Sequence, residues 1–252
     1  MSAERPRVYL LDVEGTVAPL TLTTEVLFPY ARKHLNEFLD RNIGDPAVQA
    51  DLTLLAEENQ ADTDPNLPVH RTAEKWGGPV DGAKFRLFAL MYLLWLMDRD
   101  RKSTALKSLQ GKIWKAGFES GELKGTLFDD VPKAFRRWSQ QGKVAIYSSG
   151  SVDAQKLLFG HTTYGDLTAL ISAYFDTRTG PKMESASYAA IAASFAVPPG
   201  AVLFLSDVVK ELDAAREAGC QTRLVVREGN PPVAEANGHL RLESFDALEN
   251  SI

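Results

Sequence analysis

The chain has 252 residues, of which 44% are hydrophobic, and its 28 basic and 33 acidic residues give a net charge of −5. This length and composition suit a globular protein with a sizeable core. The negative charge provides no general attraction to phosphate backbones or anionic lipid surfaces, so nucleic-acid and membrane-surface functions are disfavoured.

Two further features bear on the compartment. Cys220 is the single cysteine, so no intramolecular disulfide can form, and we interpret it as a small structural residue. The first residues are too polar for a signal peptide, and the most apolar segment, residues 85–97, is too short to span a bilayer. We therefore expect a cytoplasmic protein in which residues 85–97 form a buried helix.

The first predicted element is a buried strand at residues 8–11. Its residues are apolar throughout, which is typical of a parallel strand covered on both faces. The sequence Asp12-Val13-Glu14-Gly15-Thr16 follows at once. Because residues two apart in an extended chain point to the same side, we expect the carboxylates of Asp12 and Glu14 to share one side of the chain.

A helical region comes next, before any second strand of this kind. Helical patterns cover residues 23–42, 46–60, 82–100 and 103–121, and Thr23 or Thr24 is expected to cap the first of them. Residues 61–82 are rich in Pro, Gly and Asp and predict a long loop or hinge. We predict that residues 18–125 form a helical domain inserted into an α/β domain made of residues 1–17 and 126–252.

The remaining chain alternates strands with helices. A helix at residues 130–142 leads back to the sheet. Strands are predicted at 143–147, 201–205 and 223–226, and helices at 152–160, 184–196 and 209–219. This alternation predicts an α/β fold: a Rossmann-like parallel sheet with helices on both faces.

The strand ends carry the residues best suited to chemistry. In open parallel sheets, ligands bind beyond the carboxyl ends of the strands. The residues expected there are Asp12, Glu14, Ser148, Ser149, Gly150, Ser206 and Asp207, with Glu211 one helical turn further on. Lys182 lies before the helix that is predicted to begin near residue 184. Taken singly, an Asp or Ser after a strand is usually a turn or capping residue. Agreement among three separate strand ends favours a common site that holds a nucleophile, a cation and carboxylates for a metal.

The order of these motifs, Asp-x-Asp/Glu-Gly-Thr, then Ser, Lys and Asp, resembles the haloacid dehalogenase superfamily of aspartate-nucleophile phosphatases. The helical insertion resembles the cap domain of that superfamily. Longer runs resemble its enolase-phosphatase family of methionine salvage: LLDVEGTVAPLTLTTEVLFPYA, DRKSTALKSLQGKIW, YSSGSVDAQKLLFGHT, FDTRTGPKMESASY and LFLSDVVKELDAA. Glu14, at a position where most superfamily phosphatases have Asp, is itself a mark of this family.

This resemblance implies a hydrolase with two linked reactions. The substrate, 2,3-diketo-5-methylthiopentyl-1-phosphate, is first enolised, and the enol phosphate is then hydrolysed to acireductone and inorganic phosphate. The implied catalytic residues are Asp12, Glu14 and Lys182, with Asp12 attacking phosphorus. The implied substrate contacts are Ser148, Ser149, Gly150 and Lys182. One Mg²⁺ per subunit is implied, held by Asp12, Glu14 and Asp207.

Three roles stay open at this point. Glu14 can ligate Mg²⁺ through its side chain or its backbone carbonyl, or act as the base in enolisation, which is our hypothesis. Glu211 either positions Asp207 or a metal-bound water, or is a solvated helix residue. His161 is a plausible structural hydrogen-bonding residue, although histidine is well suited to acid/base work.

The competing interpretations concern the substrate and the presence of activity. One is a generic Mg²⁺-dependent phosphatase of the same superfamily, and the other is a non-catalytic phosphate-binding regulator. In each case the expected partner is a small phosphate-bearing molecule, with no nucleic acid and no membrane. We expect a monomer.

Overall fold

The structure, a computed structural model, describes residues 5–68 and 82–251. The chain divides into two compact units, one made of residues 1–23 and 121–252 and the other of residues 24–120. We call the first the core unit and the second the helical unit. The junctions predicted from the sequence, at residues 17–18 and 125–126, lie a few residues from these divisions.

The core unit contains a parallel sheet. Over the described residues its strands are Val8–Leu11 (β1), Lys143–Tyr147 (β2), Ala173–Phe175 (β3), Val202–Ser206 (β4), Gln221–Val225 (β5) and Leu240–Leu242 (β6). Their order in the sheet is β3-β2-β1-β4-β5-β6, and every neighbouring pair is parallel. The predicted α/β fold is confirmed.

The position of β1 follows from its sequence. All four of its residues are buried, and it pairs on one side with β2 and on the other with β4. Fully apolar strands suit the centre of a parallel sheet, where both faces are covered. The β3 and β6 strands were not predicted, because each has three residues and lies at a sheet edge, where Leu240 is 62% exposed.

Helices over the described residues are Phe28–Asn42 (α1), Pro46–Ala61 (α2), Gly82–Asp98 (α3), Thr104–Ser120 (α4), Val131–Gln141 (α5), Val152–Gly160 (α6), Ser185–Ser194 (α7) and Val209–Glu217 (α8). The first four lie in the helical unit and the last four in the core unit. All eight match predicted helical patterns, with ends displaced by at most a few residues.

Both faces of the sheet are covered because alternate residues of a strand point to opposite faces. On one face, Val8 and Leu10 of β1 join a cluster with Tyr188 of α7 and Leu212 of α8. On the other face, Tyr9 stacks on Trp138 of α5, with ring centroids 4.8 Å apart. The sheet is therefore fixed on both sides, and its carboxyl edge is held in a defined place.

The helical unit has a hydrophobic core of its own. Side chains from all four helices meet there, including Leu35, Leu52, Leu93 and Leu109, which are fully buried. The apolar segment predicted as a buried helix lies in α3. In the described parts of the chain no helix combines the length and apolarity needed to cross a membrane.

The entry into α1 differs from the prediction. Residues 22–27 form a π-helical turn that runs directly into α1, so neither Thr23 nor Thr24 is an N-cap. Pro29 lacks the N–H that an α-helix donates to the carbonyl four residues earlier, which favours another bonding pattern before it. The predicted loop at 61–82 is described as far as residue 68, and residues 69–81 lie outside the described residues.

Candidate active site

The site lies at the carboxyl edge of the sheet, where β1 is flanked by β2 and β4. The chain runs outward from β1 in opposite directions on the two sides, and ligands in such sheets bind at this reversal. Asp12 follows β1, Ser148 follows β2 and Asp207 follows β4. Three of the predicted site residues therefore lie at adjacent strand ends.

Lys182 forms the centre of a buried group of charges. Its Nζ lies 2.6 Å from Asp12 Oδ1 and 2.8 Å from Glu211 Oε2, and the side chain is 11% exposed. Ser206 Oγ lies 3.0 Å from Glu211 Oε2 and 3.4 Å from Asp12 Oδ2. We call Asp12, Lys182, Ser206 and Glu211 the lysine cluster. The interpretation of Glu211 as a solvated residue is wrong, because this residue is buried and bound to Lys182.

The charges of the lysine cluster do not cancel. Burial by itself lowers the pKa of Lys182, but the carboxylates of Asp12 and Glu211 raise it above its ordinary value. Burial, and after it the charge of Asp12, raises the pKa of Glu211 to about 7, although Lys182 opposes this. Lys182 therefore stays protonated, and its single positive charge is shared between two carboxylates.

The loop after β1 holds Asp12 in place. Val13 N–H donates to Asp12 Oδ1 at 2.7 Å, and the Val13 carbonyl accepts from the N–H groups of Val17 and Ala18 at 2.9 Å each. Gly15 has a φ of 69°, and a Cβ there would clash with the carboxylate of Asp207. Glycine therefore lets this loop approach the end of β4 closely.

Asp207 is held against the same loop. Its N–H donates to Thr16 Oγ1 at 3.1 Å. Asn230 Nδ2 donates to the Gly15 carbonyl at 2.8 Å and lies 3.3 Å from Asp207 Oδ2. The other oxygen, Asp207 Oδ1, is buried without a hydrogen-bond partner among the described residues. Burial, and after it the charge of Asp12, raises the pKa of Asp207 to about 6.

This environment fits a hard cation. An unpartnered carboxylate oxygen beside a second carboxylate is stabilised by a divalent ion such as Mg²⁺, which prefers oxygen ligands. The Glu14 carboxylate accepts a hydrogen bond from the Thr23 hydroxyl. Within residues 5–68 and 82–251, no three His, Cys, Asp or Glu side chains are grouped to hold a metal. The predicted set of Asp12, Glu14 and Asp207 is therefore not assembled through side chains alone, and the backbone carbonyl of Glu14 is the alternative that remains.

The loop after β2 is held by hydrogen bonds within the loop and to residues of β3 and α6. Ser148 N–H donates to the Phe175 carbonyl at 3.1 Å, and Ser148 Oγ accepts from Gly150 N–H at 3.2 Å. Gln155 Nε2 donates to the carbonyls of Gly150 and Phe175 at 2.8 and 2.9 Å. Ser148 is buried and Ser149 is exposed, at the N-terminus of α6. Hydroxyls and N–H groups at a helix N-terminus suit phosphate oxygens.

Two other residues have structural roles in the described chain. His161 is the C-cap of α6, and its Nδ1 lies 3.0 Å from the Leu157 carbonyl. Cys220 is buried, and burial raises its pKa to about 11, which keeps the thiol protonated.

A second buried charge pair also contacts the β1 loop. Arg227 Nη1 lies 2.7 Å from Asp130 Oδ2, which also accepts from Ser244 Oγ at 3.0 Å and from Phe245 N–H at 2.7 Å. Arg227 Nε donates to the Thr16 carbonyl at 3.1 Å. Arg227 and Asn230 were missed in the sequence. Both residues follow β5, and polar residues that follow a strand of a parallel sheet are candidates for a ligand site.

Comparisons with known proteins identify the family of the chain. Residues 6–219 match the family model for haloacid dehalogenase-like hydrolases. The enolase-phosphatase E1 of Synechococcus elongatus is 51% identical over 240 residues, covering 95% of this chain and 96% of the relative. The enolase-phosphatase E1 of Danio rerio is 41% identical over 249 residues, covering 98% and 95%.

A solved structure gives the same result for the fold. The UTR4 protein of Saccharomyces cerevisiae is 33% identical, with a TM-score of 0.76, over 96% of this chain and 99% of that one. The likeness thus spans the sheet, the helical unit and the motifs at the strand ends. The chain belongs to the enolase-phosphatase family of the haloacid dehalogenase-like hydrolases.

Proposed function

We propose that the lysine cluster is the catalytic centre for the two-step reaction of the methionine-salvage enolase-phosphatases. The chain enolises 2,3-diketo-5-methylthiopentyl-1-phosphate and then hydrolyses the enol phosphate to acireductone and inorganic phosphate. The observation that carries this assignment is the position of Lys182 Nζ, 2.6 Å from Asp12 Oδ1 at the central strand end. A carboxylate and an ammonium held together in this way suit attack on a phosphate ester.

In the hydrolytic step, Asp12 attacks phosphorus, and the bond from phosphorus to the enol oxygen breaks, so that acireductone leaves and an aspartyl-phosphate forms. Water then cleaves the aspartyl-phosphate, which releases inorganic phosphate and restores Asp12. Two easier displacements thus replace one difficult displacement. Lys182 holds a phosphate oxygen as charge redistributes, and Ser148 with the N–H groups of its loop holds others. Asp12, Asp207 and the Glu14 carbonyl would hold a Mg²⁺, which would supply positive charge for the approach of the anionic Asp12 to an anionic phosphate.

Glu14 is our candidate for proton transfer. It lies two residues after the nucleophile, it is half-buried, and the Thr23 hydroxyl holds its carboxylate. In enolisation Glu14 takes a proton from the carbon that bears the phosphate ester. Lys182 stabilises the enolate oxygen. We expect Glu14→Gln to abolish enol formation, and enol formation at the wild-type rate would assign the base elsewhere.

The helical unit, residues 24–120, is assigned the role of cap. A cap excludes bulk water and provides apolar contacts for the methylthio tail, while the core unit performs the phosphorus chemistry. We expect a shortened helical unit to impair enolisation and substrate selectivity more than hydrolysis of a generic ester. Equal loss of both activities would remove this assignment. The proposed enzyme is a cytoplasmic monomer with one Mg²⁺ per subunit.

The test uses the purified protein and the diketo phosphate, with Mg²⁺ or with EDTA. Enol absorbance and free phosphate are followed together. The proposal predicts an enol that appears first and phosphate that follows it, both lost in EDTA. Phosphate release from many other esters, without enol formation from this substrate, would leave a generic phosphatase. Absence of any turnover would leave a phosphate-binding regulator.

A further inference from the structure

The chain segment that carries Lys182 is held by three hydroxyl groups. Tyr147 Oη donates to the Gly180 carbonyl at 2.8 Å. Ser187 Oγ donates to the Pro181 carbonyl at 2.8 Å. Tyr188 Oη donates to the Lys182 carbonyl at 2.7 Å. Three consecutive carbonyls thus each accept from a different side chain, and we call Tyr147, Ser187 and Tyr188 the carbonyl clamp.

The clamp residues come from rigid elements. Tyr147 is the last residue of β2, and Ser187 and Tyr188 lie in the first turn of α7. Both tyrosines are fully buried, and their rings meet edge to face with centroids 5.6 Å apart. Burial raises the pKa of each tyrosine above its ordinary value, so both hydroxyls remain donors.

Residues 180–182, in contrast, have no regular structure to fix them. They lie outside any helix or strand, and Pro181 has no N–H to donate. Gly180 has a φ of 146°, and a Cβ there would clash with Ser187 Oγ. The segment therefore passes directly against the start of α7. The Glu184 N–H also donates to the Pro181 carbonyl, at 3.1 Å, whereas side-chain donors hold the carbonyls of Gly180 and Lys182.

We propose that the carbonyl clamp positions Lys182, so that its ammonium bridges Asp12 and Glu211 before substrate binds. The inference rests on the proposed function in one respect, the role of Lys182 in phosphoryl transfer. Tyr147, Ser187 and Tyr188 touch neither the phosphate nor the nucleophile in this scheme, and they act through the backbone of residues 180–182. Lys182 Nζ lies 6.0 Å from the centroid of the Tyr147 ring, so the same side chain also borders the ammonium.

The first test is kinetic. We expect Tyr147→Phe, Ser187→Ala and Tyr188→Phe each to lower kcat for phosphate release by about 10- to 100-fold, because small displacements of catalytic groups are costly. KM changes less, because the displaced ammonium chiefly affects charge that develops in the transition state. The matched controls are Tyr9→Phe, which removes a buried hydroxyl that donates to Gln141, and Ser194→Ala near the end of α7. Both are expected to keep the wild-type kcat.

The second test asks whether the clamp acts through Lys182. Tyr188→Phe is introduced into a Lys182→Met background, where no ammonium remains to be positioned. We expect no further loss of kcat, because the effects of substituting residues that act as one unit are not additive. A loss equal to that seen in the wild-type background would overturn the proposal and leave the hydroxyls with a structural role.

The third test does not require turnover. Lys182 is 11% exposed and paired with two carboxylates, so it reacts slowly with an amine-specific acylating reagent. We expect faster labelling of Lys182, followed by peptide mass spectrometry, in Tyr147→Phe and Tyr188→Phe than in Tyr9→Phe. Labelling at the wild-type rate in both variants would overturn the clamp. If the wild-type chain does not act on the diketo phosphate, the proposed function fails, and labelling still decides whether the clamp holds Lys182.

Discussion

Two buried charge groups contact the β1 loop, and they differ in their balance of positive and negative charge. The Arg227–Asp130 pair has one positive and one negative charge. Its two atoms that lack a hydrogen-bond partner among the described residues, Arg227 Nη2 and Asp130 Oδ1, belong to groups of opposite charge. The lysine cluster has one ammonium for two carboxylates, and Asp207 adds further negative charge beside it.

The pKa values follow this difference. Burial opposes the ionisation of Asp130, but its hydrogen bonds to Arg227 and Phe245 N–H hold its pKa below the ordinary value. Burial and the neighbouring Asp12 raise the pKa values of Asp207 and Glu211. A balanced pair stabilises its own charges, whereas an excess of carboxylates is relieved by a bound cation or by protonation. We therefore propose that Arg227–Asp130 supports the fold and that the lysine cluster performs the chemistry.

The largest expected effect is a loss of activity in the lysine cluster that is absent from the Arg227–Asp130 pair. We expect Asp12→Asn to lower phosphate release by at least about 10⁴-fold, because it removes the nucleophile. Asp130→Asn is the matched variant, and per folded molecule it keeps kcat within about threefold. Rates are measured with the diketo phosphate after correction for the folded fraction. Similar losses in both variants would erase the distinction between the two groups.

The free energy of unfolding is expected to fall more on substitution in the Arg227–Asp130 pair than on substitution in the lysine cluster. Arg227→Met leaves Asp130 buried without its cation and costs about 3–5 kcal/mol, as is usual when one partner of a buried pair is removed. Asp12→Asn costs less than about 1 kcal/mol, because Lys182 keeps Glu211 as its partner. Urea unfolding without Mg²⁺ measures both. A larger cost for Asp12→Asn would mean that the lysine cluster also maintains the fold.

The pH dependence of stability should also differ between the groups. The pKa of Glu211 is raised in the folded state, from 4.5 to about 7, so its contribution to stability is lost as pH rises through that interval. Glu211→Gln therefore removes a decline of at most about 3 kcal/mol across this range. The pKa of Asp130 is lowered, so its contribution is lost as pH falls. Urea midpoints measured without Mg²⁺ across this range check the sign for Glu211, and midpoints measured below pH 3.8, the ordinary pKa of Asp130, check the other sign. An unchanged profile in Glu211→Gln would contradict the raised pKa.

Cation binding should stabilise only one of the groups. At about 100 times its dissociation constant, Mg²⁺ stabilises the folded state by about 2.7 kcal/mol. We expect this gain to be larger above the raised pKa of Asp207, about 6, than below it, because protons compete for the carboxylate. Asp207→Asn removes the gain and Asp130→Asn keeps it. Thermal midpoints with and without Mg²⁺ are the measurement, and an equal gain in Asp207→Asn would place the cation elsewhere.

The sequence predicted the central features of the fold and site because they depend on local patterns. Apolar runs predict the strands β1, β2, β4 and β5. Asp12, Ser148 and Asp207 could be predicted as site residues because each is a polar residue directly after one of these runs. The short edge strands lack such a run. The partners of Lys182 could not be predicted as contacts, because the two carboxylates that it bridges follow different strands.

Other features depend on where the chain folds back on itself. The Asn230 amide reaches Gly15, which lies more than two hundred residues earlier in the sequence. The carbonyl clamp depends on the path of residues 180–182 past β2 and α7, and no local motif encodes that path. Thr23 or Thr24 was expected to cap a helix, and in the structure the Thr23 hydroxyl donates to the Glu14 carboxylate.

The most direct test of the central claim is to trap the phosphorylated enzyme. The protein is mixed with the diketo phosphate and Mg²⁺, quenched in acid within a turnover, and analysed by peptide mass spectrometry. We expect a phosphoryl-sized mass increase on the peptide that contains Asp12, and none in Asp12→Asn. A phosphoryl group on Ser148, Ser149 or Ser206, or wild-type turnover by Asp12→Asn, would contradict the assignment of the lysine cluster as the phosphoryl-transfer site.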